Sequence, residues 1–253
     1  MRRFLLSVTP EADRPELAPA DARHALRVLR LEPGDRLVGL DGRGRAWPLR
    51  VVAAGRAGLE LASDGPPRAE PEPGAPGSGL PWIELALPLP RGARAEGMLE
   101  RLVQLGLARL TPLVTERTAP HASERSATRI ERLERVAAEA MKQCGRLWAC
   151  ELAPQETLDA WLGRAGARRI VLCAPDPGAA PLARVLSDLP GGRWTRTEPL
   201  CVLIGPEGGL TPAEQAAARA AGARPARLAA HTLRTETAAE AALAIAVHAT
   251  LSD

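Results

Sequence analysis

Two uninterrupted apolar runs in the second half of the chain constrain the fold most. They cover residues 170–174 and 200–205, and neither alternates apolar with polar residues. A strand with one face in water alternates, whereas strands of a parallel sheet covered on both faces have such continuous apolar sequences. The two runs therefore predict a buried parallel sheet and an α/β fold.

The segment before these runs has the sequence pattern of the same fold class. Residues 82–89 and 110–114 have the composition of strands, and residues 95–105 and 124–143 have apolar positions at helical spacing. Strands that alternate with amphipathic helices are typical of α/β domains. We therefore expect one α/β domain over residues 80–253.

A run rich in proline and glycine precedes this domain. Residues 65–79 have almost no apolar content and cannot bury a core, so we expect a linker at 71–79 and a separate domain at 1–70. Within 1–70, short strand-like runs flank a hairpin-type turn at 41–44, and one helical segment, 21–31, interrupts them. This pattern predicts a small β-barrel or sheet.

Composition limits the classes of protein that this chain can belong to. Its 253 residues carry a formal net charge of +3 and a single lysine, so a phosphate-bearing partner has to be argued from the positions of arginines. The four cysteines form no C-x-x-C pair, which favours reduced thiols over disulfides or zinc, and we expect no metal. No stretch has the length of a signal peptide or membrane span, so we expect a soluble, cytoplasmic protein.

The most informative motif is a glycine loop between a strand and a helix. Gly205, Gly208 and Gly209 follow the apolar run 200–205 and allow close approach of a flat ligand to the main chain. Thr211 and Glu214 have the spacing of a capping box, with Pro212 at the first helical position, so the loop should be rigid. A purely structural turn is the alternative explanation of the glycines.

The residues of this loop argue against a phosphate ligand. Glu207 would repel a phosphate, and the chain contains no phosphate-loop or dinucleotide-binding glycine pattern. A ligand with positive charge and an adenine ring, but without phosphates, suits the loop better.

A second polar motif follows one strand and helix later. Residues 226–230 are expected to form a short strand, and residues 231–237 lead into the C-terminal helix, which Thr237 and Glu240 are expected to cap. Arg234 lies among hydroxyl and carboxylate side chains in an otherwise alanine-rich region. This grouping indicates a functional site, with a capping network as the alternative.

Taken together, these motifs resemble the bacterial ribosomal RNA small-subunit methyltransferase family E, of the SPOUT superfamily, which methylates N3 of a uridine in 16S ribosomal RNA. The specific parts are residues 205–209, Gly-Pro-Glu-Gly-Gly, and residues 233–238, Leu-Arg-Thr-Glu-Thr-Ala. Further matching segments, spread over nearly the whole chain, are Arg2-Arg3-Phe4, His24, Val28-Leu29-Arg30, Gly34-Asp35, Asp41-Gly42-Arg43-Gly44, Gln104-Leu105-Gly106 before Thr111-Pro112, Glu139-Ala140 and Gln143-Cys144-Gly145-Arg146.

The resemblance implies an N-terminal PUA-like barrel, a C-terminal SPOUT domain with a parallel sheet and a trefoil knot, and a homodimer formed through the cofactor region. It also implies that the cofactor is S-adenosylmethionine, held in a bent form. The implied cofactor-binding residues are Leu203, Ile204, Gly205, Pro206, Glu207, Gly208, Leu228, Ala229, Leu233, Thr235, Thr237 and Ala238.

Three positions depart from the family pattern. Ala229 replaces a usual glycine, His231 a usual arginine, and Gln104 a usual glutamate. The added methyl group of Ala229 would crowd a loop that packs on the cofactor. Arginines also replace lysines near residues 91–101, a change that keeps the positive charge for phosphate contacts.

Methylation of uracil N3 requires loss of the imide proton while the nitrogen attacks the methyl group. Arg234 is our candidate for stabilising the developing anion. His231 is a candidate proton acceptor, with a structural role as the alternative, and Glu236 either orients Arg234 or acts as the base. The candidate RNA-binding residues are Arg2, Arg3, Arg23, Arg27, Arg30, Arg91, Arg94, Lys142 and Arg146.

Two other functions remain open on the sequence. One is a SPOUT enzyme acting on another RNA with the same cofactor, and the other is a non-catalytic RNA-binding factor in ribosome assembly. Mapping of methylated nucleosides tests the first, and the effect of Arg234→Ala on cellular methylation tests the second.

Overall fold

The computed structural model describes residues 2–12, 14–55, 58–118, 127–164, 168–174, 176, 178–189 and 193–251. Their contacts divide the chain into two compact units. The first unit comprises Met1–Glu72 with Ala138–Ala149, and the second comprises Pro73–Ala137 with Cys150–Asp253. The sequence does not reveal that Ala138–Ala149 joins the first unit, because the pattern of an amphipathic helix shows only that one face is buried.

The first unit is a barrel-like sheet of six strands, which confirms the predicted small β-barrel. The strand order is β2-β1-β3-β4-β5, with β6 paired to β4. Phe4, Leu37, Leu49 and Val51 are buried in its core. The strands are β1 Arg2–Val8, β2 Glu16–Leu17, β3 Arg36–Leu40, β4 Arg45–Gly55, β5 Gly58–Ser63 and β6 Arg68–Ala69.

The first α-helix of this unit, α1, covers Pro19–Arg27 and ends four residues before the expected residue 31. Arg30 takes a left-handed backbone conformation with φ of 50°, which breaks the helix. The Leu31 N–H then donates to the Ala25 carbonyl at 3.1 Å, and the Leu31 side chain is buried. The helix therefore stops early although the helical pattern continues, and Leu31 is buried in the barrel core.

The second unit contains a parallel sheet with the order β10-β8-β7-β12-β11-β13, and β9 pairs with β8. All five residues of β12 are buried, as the continuous apolar run predicts. The α/β class is confirmed. The trefoil knot stays a prediction. The strands are β7 Ile83–Leu87, β8 Arg109–Val114, β9 Glu151–Leu152, β10 Glu156–Thr157, β11 Arg169–Cys173, β12 Leu200–Ile204 and β13 Arg224–Ala226.

The strand expected at residues 226–230 is β13, which covers Arg224–Ala226, contains Pro225 and shares only residue 226 with the prediction. Proline cannot donate a hydrogen bond to a neighbouring strand and is tolerated at a sheet edge. β13 is such an edge strand, because β11 is its only neighbouring strand within the described residues. Arg227 forms an isolated bridge with Pro181, and residues 228–230 belong to the loop that follows.

Six further helices are described. They are α2 Ala93–Gln104, α3 Ala127–Cys144, α4 Leu158–Leu162, α5 Leu182–Ser187, α6 Pro212–Ala220 and α7 Thr235–Leu251. The predicted α2 and α3 are present, although the expected start of α3 at residues 124–126 lies outside the described residues. None of the helices in the described ranges is long and apolar enough to cross a membrane.

Candidate functional site

A cavity of about 300 Å³ opens where three neighbouring parallel strands end. Cys173 of β11 is paired in register with Ile204 of β12 and Ala226 of β13, so the three carboxyl ends lie side by side. Loops that leave adjacent parallel strands at this edge commonly form ligand sites. The residues that line it and were expected to bind cofactor are Ile204, Gly205, Pro206, Glu207, Gly208, Leu228, Ala229, Leu233, Thr235 and Ala238; His231 lines it too.

The glycine loop follows β12 and forms one wall of the cavity. The Gly209 N–H donates to the Pro206 carbonyl at 2.8 Å, and Gly209 has φ of 69°, a conformation that favours glycine. A Cβ atom on Gly205 would lie 3.1 Å from the Leu210 nitrogen. Glycine is required at position 205 because a side chain there would crowd the backbone of Leu210, and at position 209 because the turn needs a positive φ. The loop is therefore narrow.

The start of α6 fixes the far end of this loop. Thr211 and Glu214 form the predicted capping box: the Glu214 N–H donates to Thr211 Oγ1 at 3.2 Å and the Thr211 N–H donates to Glu214 Oε2 at 2.8 Å. Pro212 occupies the first turn, as expected. Glu214 Oε1 also accepts the Glu116 N–H at 2.8 Å, so the same carboxylate ties the loop after β8 to the glycine loop.

Sequence reasoning missed several cavity residues, among them Arg117 and Gln215. Arg117 Nη1 donates to the Gly208 carbonyl at 2.8 Å, and Gln215 Nε2 donates to the Leu210 carbonyl at 3.1 Å. Both side chains hold the glycine loop in place by hydrogen bonds to its carbonyl groups. The available signal for Arg117 was its place just after β8, because the carboxyl ends of parallel strands meet at the same edge of the sheet.

The second motif reaches the same cavity through the start of α7. Thr235 is buried, and its Oγ1 donates to the Gly205 carbonyl at 3.4 Å, so the two motifs touch. The expectation that Thr237 caps this helix is wrong. The helix begins at Thr235, and the Ala238 N–H already donates to the Arg234 carbonyl at 2.8 Å, so Thr237 lies inside the helix. Thr237 is exposed, and Leu203 packs in the core.

The three candidate catalytic residues differ in their surroundings. His231 and Arg234 are exposed, and the Arg234 guanidinium forms no ion pair or hydrogen bond within the described residues. The Glu236 side chain is only 12% exposed, and its Oε1 lies 3.7 Å from Nη1 of Arg94. Its Oε2 is buried and has no hydrogen-bond partner in the described part of the chain. Arg234 and Glu236 stand next to the cavity without lining it.

Cys173 also lines the cavity, and its chemistry is that of an inert thiol. Burial raises the pKa of Cys173 to about 12, so the thiol stays protonated at neutral pH and is a poor nucleophile. Within the described ranges, no three His, Cys, Asp or Glu side chains converge as metal ligands do.

The candidate RNA-binding residues fall into two groups. Lys142 is mostly buried and donates to Asp21 Oδ1 at 2.6 Å and Glu139 Oε1 at 2.7 Å. Burial alone would lower the pKa of Lys142, but these two carboxylates hold it above its ordinary value. Arg146 is 9% exposed. The exposed group comprises Arg2, Arg3, Arg23, Arg27, Arg30, Arg91 and Arg94, of which Arg3 also donates to the carbonyls of Lys142 and Gln143.

Comparison with known proteins agrees with this architecture. Residues 78–247 match the model of an RNA methyltransferase domain, and residues 17–61 match that of an RNA methyltransferase PUA domain. The chain is 32% identical over 234 residues to the ribosomal RNA small subunit methyltransferase E of Synechocystis sp., which covers 90% of this chain and 71% of that protein.

Two solved structures share the fold over almost their whole length. A probable rRNA-methyltransferase from Porphyromonas gingivalis has a TM-score of 0.77 and 26% identity, with 100% of this chain and 99% of that chain covered. The ribosomal RNA small subunit methyltransferase E from Neisseria gonorrhoeae, bound to S-adenosyl methionine, has a TM-score of 0.75 and 25% identity, covering 96% of this chain and 95% of that chain. The chain therefore belongs to the ribosomal RNA small-subunit methyltransferase E family of RNA methyltransferases.

Proposed function

We propose that this protein transfers a methyl group from S-adenosylmethionine to N3 of a uridine in small-subunit (16S) ribosomal RNA. The observation that carries the proposal is the convergence of both family motifs on one cavity, joined by the contact between Thr235 and the Gly205 carbonyl. Neither motif alone encloses a site, since each supplies one wall.

The cavity suits this cofactor in size and charge. Its volume of about 300 Å³ lies within the range of small-molecule sites. Ile204, Leu228 and Leu233 give it apolar walls for an adenine ring, and Glu207 places a negative charge in the lining. A cationic sulfonium is attracted by that charge, whereas a phosphate would be repelled. When bound, the cofactor supplies the electrophilic methyl group.

The residues of the chain then have to hold the uracil and remove its proton. Arg234 stabilises the negative charge that develops on uracil as N3 loses its proton. Glu236 or His231 accepts that proton, and N3 forms its bond to the methyl carbon as the carbon–sulfur bond breaks. Because N3 lies on the Watson–Crick edge, the target base must be unpaired or flipped out of a helix.

The remaining parts of the proposal concern partners and location. Exposed arginines of the first unit, Arg2, Arg3, Arg23, Arg27 and Arg30, are proposed to contact RNA phosphates, as is Arg91. Arg94, predicted for the same role, faces the carboxylates of Glu207 and Glu236 instead. Lys142 and Arg146, being largely buried, remain weaker candidates for the same role. A homodimer, on family likeness, and a cytoplasmic location, on the four free cysteines, complete the proposal.

Binding of the cofactor is directly measurable by isothermal titration of S-adenosylmethionine into the purified protein. We expect saturable binding that Gly208→Arg weakens at least about 100-fold, because a long charged side chain would enter a narrow cavity beside Arg117. Gly79→Arg is the matched control, since residue 79 is exposed and a Cβ atom there meets nothing within 4 Å. Equal affinity in all three proteins would contradict this placement of the cofactor.

The target nucleoside is tested by mass mapping of 16S ribosomal RNA from cells with and without the protein. The expected result is one N3-methyluridine that disappears with the protein and returns with the intact gene. Loss of a methylated nucleoside from transfer RNA or large-subunit RNA instead would favour a related enzyme with another substrate.

A further inference from the structure

One guanidinium lies within 4 Å of a carboxylate from each of the two motifs. Arg94 lies in the first turn of α2, and its Nη1 is 3.7 Å from Glu236 Oε1 and 3.9 Å from Glu207 Oε1. Glu207 belongs to the glycine loop, and Glu236 to the first turn of α7. A single side chain therefore spans the two loops whose convergence forms the site.

A second ion pair also joins α2 to α7 and serves as a reference for Arg94. Arg101, two turns after Arg94, lies 2.8 Å from Glu240, one turn after Glu236. This pair is shorter than the contacts of Arg94, and neither of its members lines the cavity. Arg94 differs from Arg101 in reaching a third group, the carboxylate of the glycine loop.

Glu236 has an incomplete set of partners. Its Oε1 faces Arg94, while its buried Oε2 has no hydrogen-bond partner within the described residues. A buried oxygen without a donor is costly and is most often satisfied by a ligand or water. The arrangement leaves one oxygen of Glu236 held by Arg94 and the other available to a hydrogen-bond donor.

We propose that Arg94 is a positioning residue that holds Glu207 and Glu236 together, so that the two motifs keep one arrangement around the cofactor and the target base. The inference rests on the proposed function. Distances of 3.7 and 3.9 Å exceed those of hydrogen bonds, so Arg94 acts through charge. A lysine at this position keeps the charge and should retain most of the effect.

The test compares Arg94→Ala, Arg94→Lys and the matched control Arg101→Ala in the full chain. Affinity for S-adenosylmethionine is measured by titration, and kcat and RNA affinity over a series of salt concentrations are measured separately. For Arg94→Ala we expect roughly a tenfold lower kcat and about threefold weaker cofactor binding, since neighbouring charges in one network couple at this scale. RNA affinity and its salt dependence should not change, and Arg94→Lys should resemble the wild type. The charge of Arg101 reaches Glu236 as well as Glu240, so Arg101→Ala should lower kcat, but by less than Arg94→Ala does.

A double variant shows whether Arg94 acts through Glu236. In the Glu236→Gln background, Arg94→Ala should lower kcat by less than it does in the wild type. An unchanged kcat with weaker RNA binding and a salt slope reduced by about one would make Arg94 a phosphate contact and overturn the proposal. An equal loss in Arg101→Ala would assign the effect to helix packing and overturn it too.

Failure of the proposed function has a different signature. If the wild type binds S-adenosylmethionine but methylates no RNA, the proposed function is contradicted, and the cofactor affinities of the variants still test Arg94. Cofactor affinity that is the same in Arg94→Ala and the wild type, together with normal turnover, would overturn the role of Arg94 alone.

Discussion

Replacing Arg234 by alanine is expected to lower kcat for RNA methylation by about 10²–10³-fold, the loss seen when one donor to a developing anion is removed. The affinity for S-adenosylmethionine and the thermal midpoint should stay close to those of the wild type. Arg234 is exposed, and its guanidinium makes no ion pair or hydrogen bond within the described residues, so its removal leaves no buried group unpaired. The effect should therefore appear in turnover alone.

The measurement is steady-state methylation of 16S ribosomal RNA at saturating cofactor, with binding followed by titration. Arg184→Ala is the matched control, because the Arg184 side chain is 73% exposed and, within the described residues, pairs only with Asp188, the C-cap residue of α5. A kcat for Arg234→Ala equal to that of the control would contradict the catalytic role. It would favour the alternative of an RNA-binding factor that no longer catalyses methylation.

The strands and the cavity loops could be predicted because they depend on local chemistry. Burial on both faces leaves a continuous apolar run in β12, and a capping box needs only Thr211 and Glu214 at a spacing of three. Once the strands are parallel, their carboxyl ends lie at one edge, so two loops far apart in sequence are brought to one site. The cavity follows from these steps.

Tertiary contacts decided the features that the sequence did not reveal. The α7 helix starts at Thr235, which is buried and donates its hydroxyl hydrogen to the Gly205 carbonyl, and the capping pattern at Thr237 gives no sign of that contact. The role of Arg117 depends on the neighbouring glycine loop, 91 residues away in sequence. A single arginine after a strand has no local signature of such a partner. The same holds for Arg94 and its two carboxylates.

A buried charged network lies in the second unit and involves none of the cavity residues. Glu84, on β7, is 3% exposed. Its Oε1 accepts hydrogen bonds from Thr111 Oγ1 at 2.5 Å, Trp161 Nε1 at 2.9 Å and Arg164 Nη1 at 2.9 Å. Because β7 is a central strand and Trp161 belongs to α4, this carboxylate holds a helix and a neighbouring strand to the core of the sheet.

Replacing Glu84 by alanine is expected to lower the free energy of unfolding by about 3–5 kcal/mol, because Arg164 and two further donors lose their shared acceptor. The thermal midpoint should fall by roughly 6–20 °C. Urea unfolding followed by tryptophan fluorescence measures the change. Glu198→Ala is the control: it breaks the 2.9 Å pair with Arg169 at a half-exposed glutamate, and exposed pairs contribute at most about 1 kcal/mol. Equal losses in the two variants would contradict a special role of the buried network.

The pH dependence of this stabilisation follows from the pKa of Glu84. Burial alone would raise it, but the hydrogen bonds from Thr111 and Trp161 and the charges of Arg164 and Arg109 hold it below its ordinary value of 4.5. As the pH falls, the unfolded chain therefore binds this proton before the folded chain does. The contribution of the charge is fully present above about pH 4.5 and is lost as the pH falls through the folded pKa.

Glu84→Gln removes the charge but keeps an acceptor, so its stability deficit should be constant near neutral pH and shrink below pH 4.5. A deficit that grew on acidification would show that Glu84 is protonated in the folded protein.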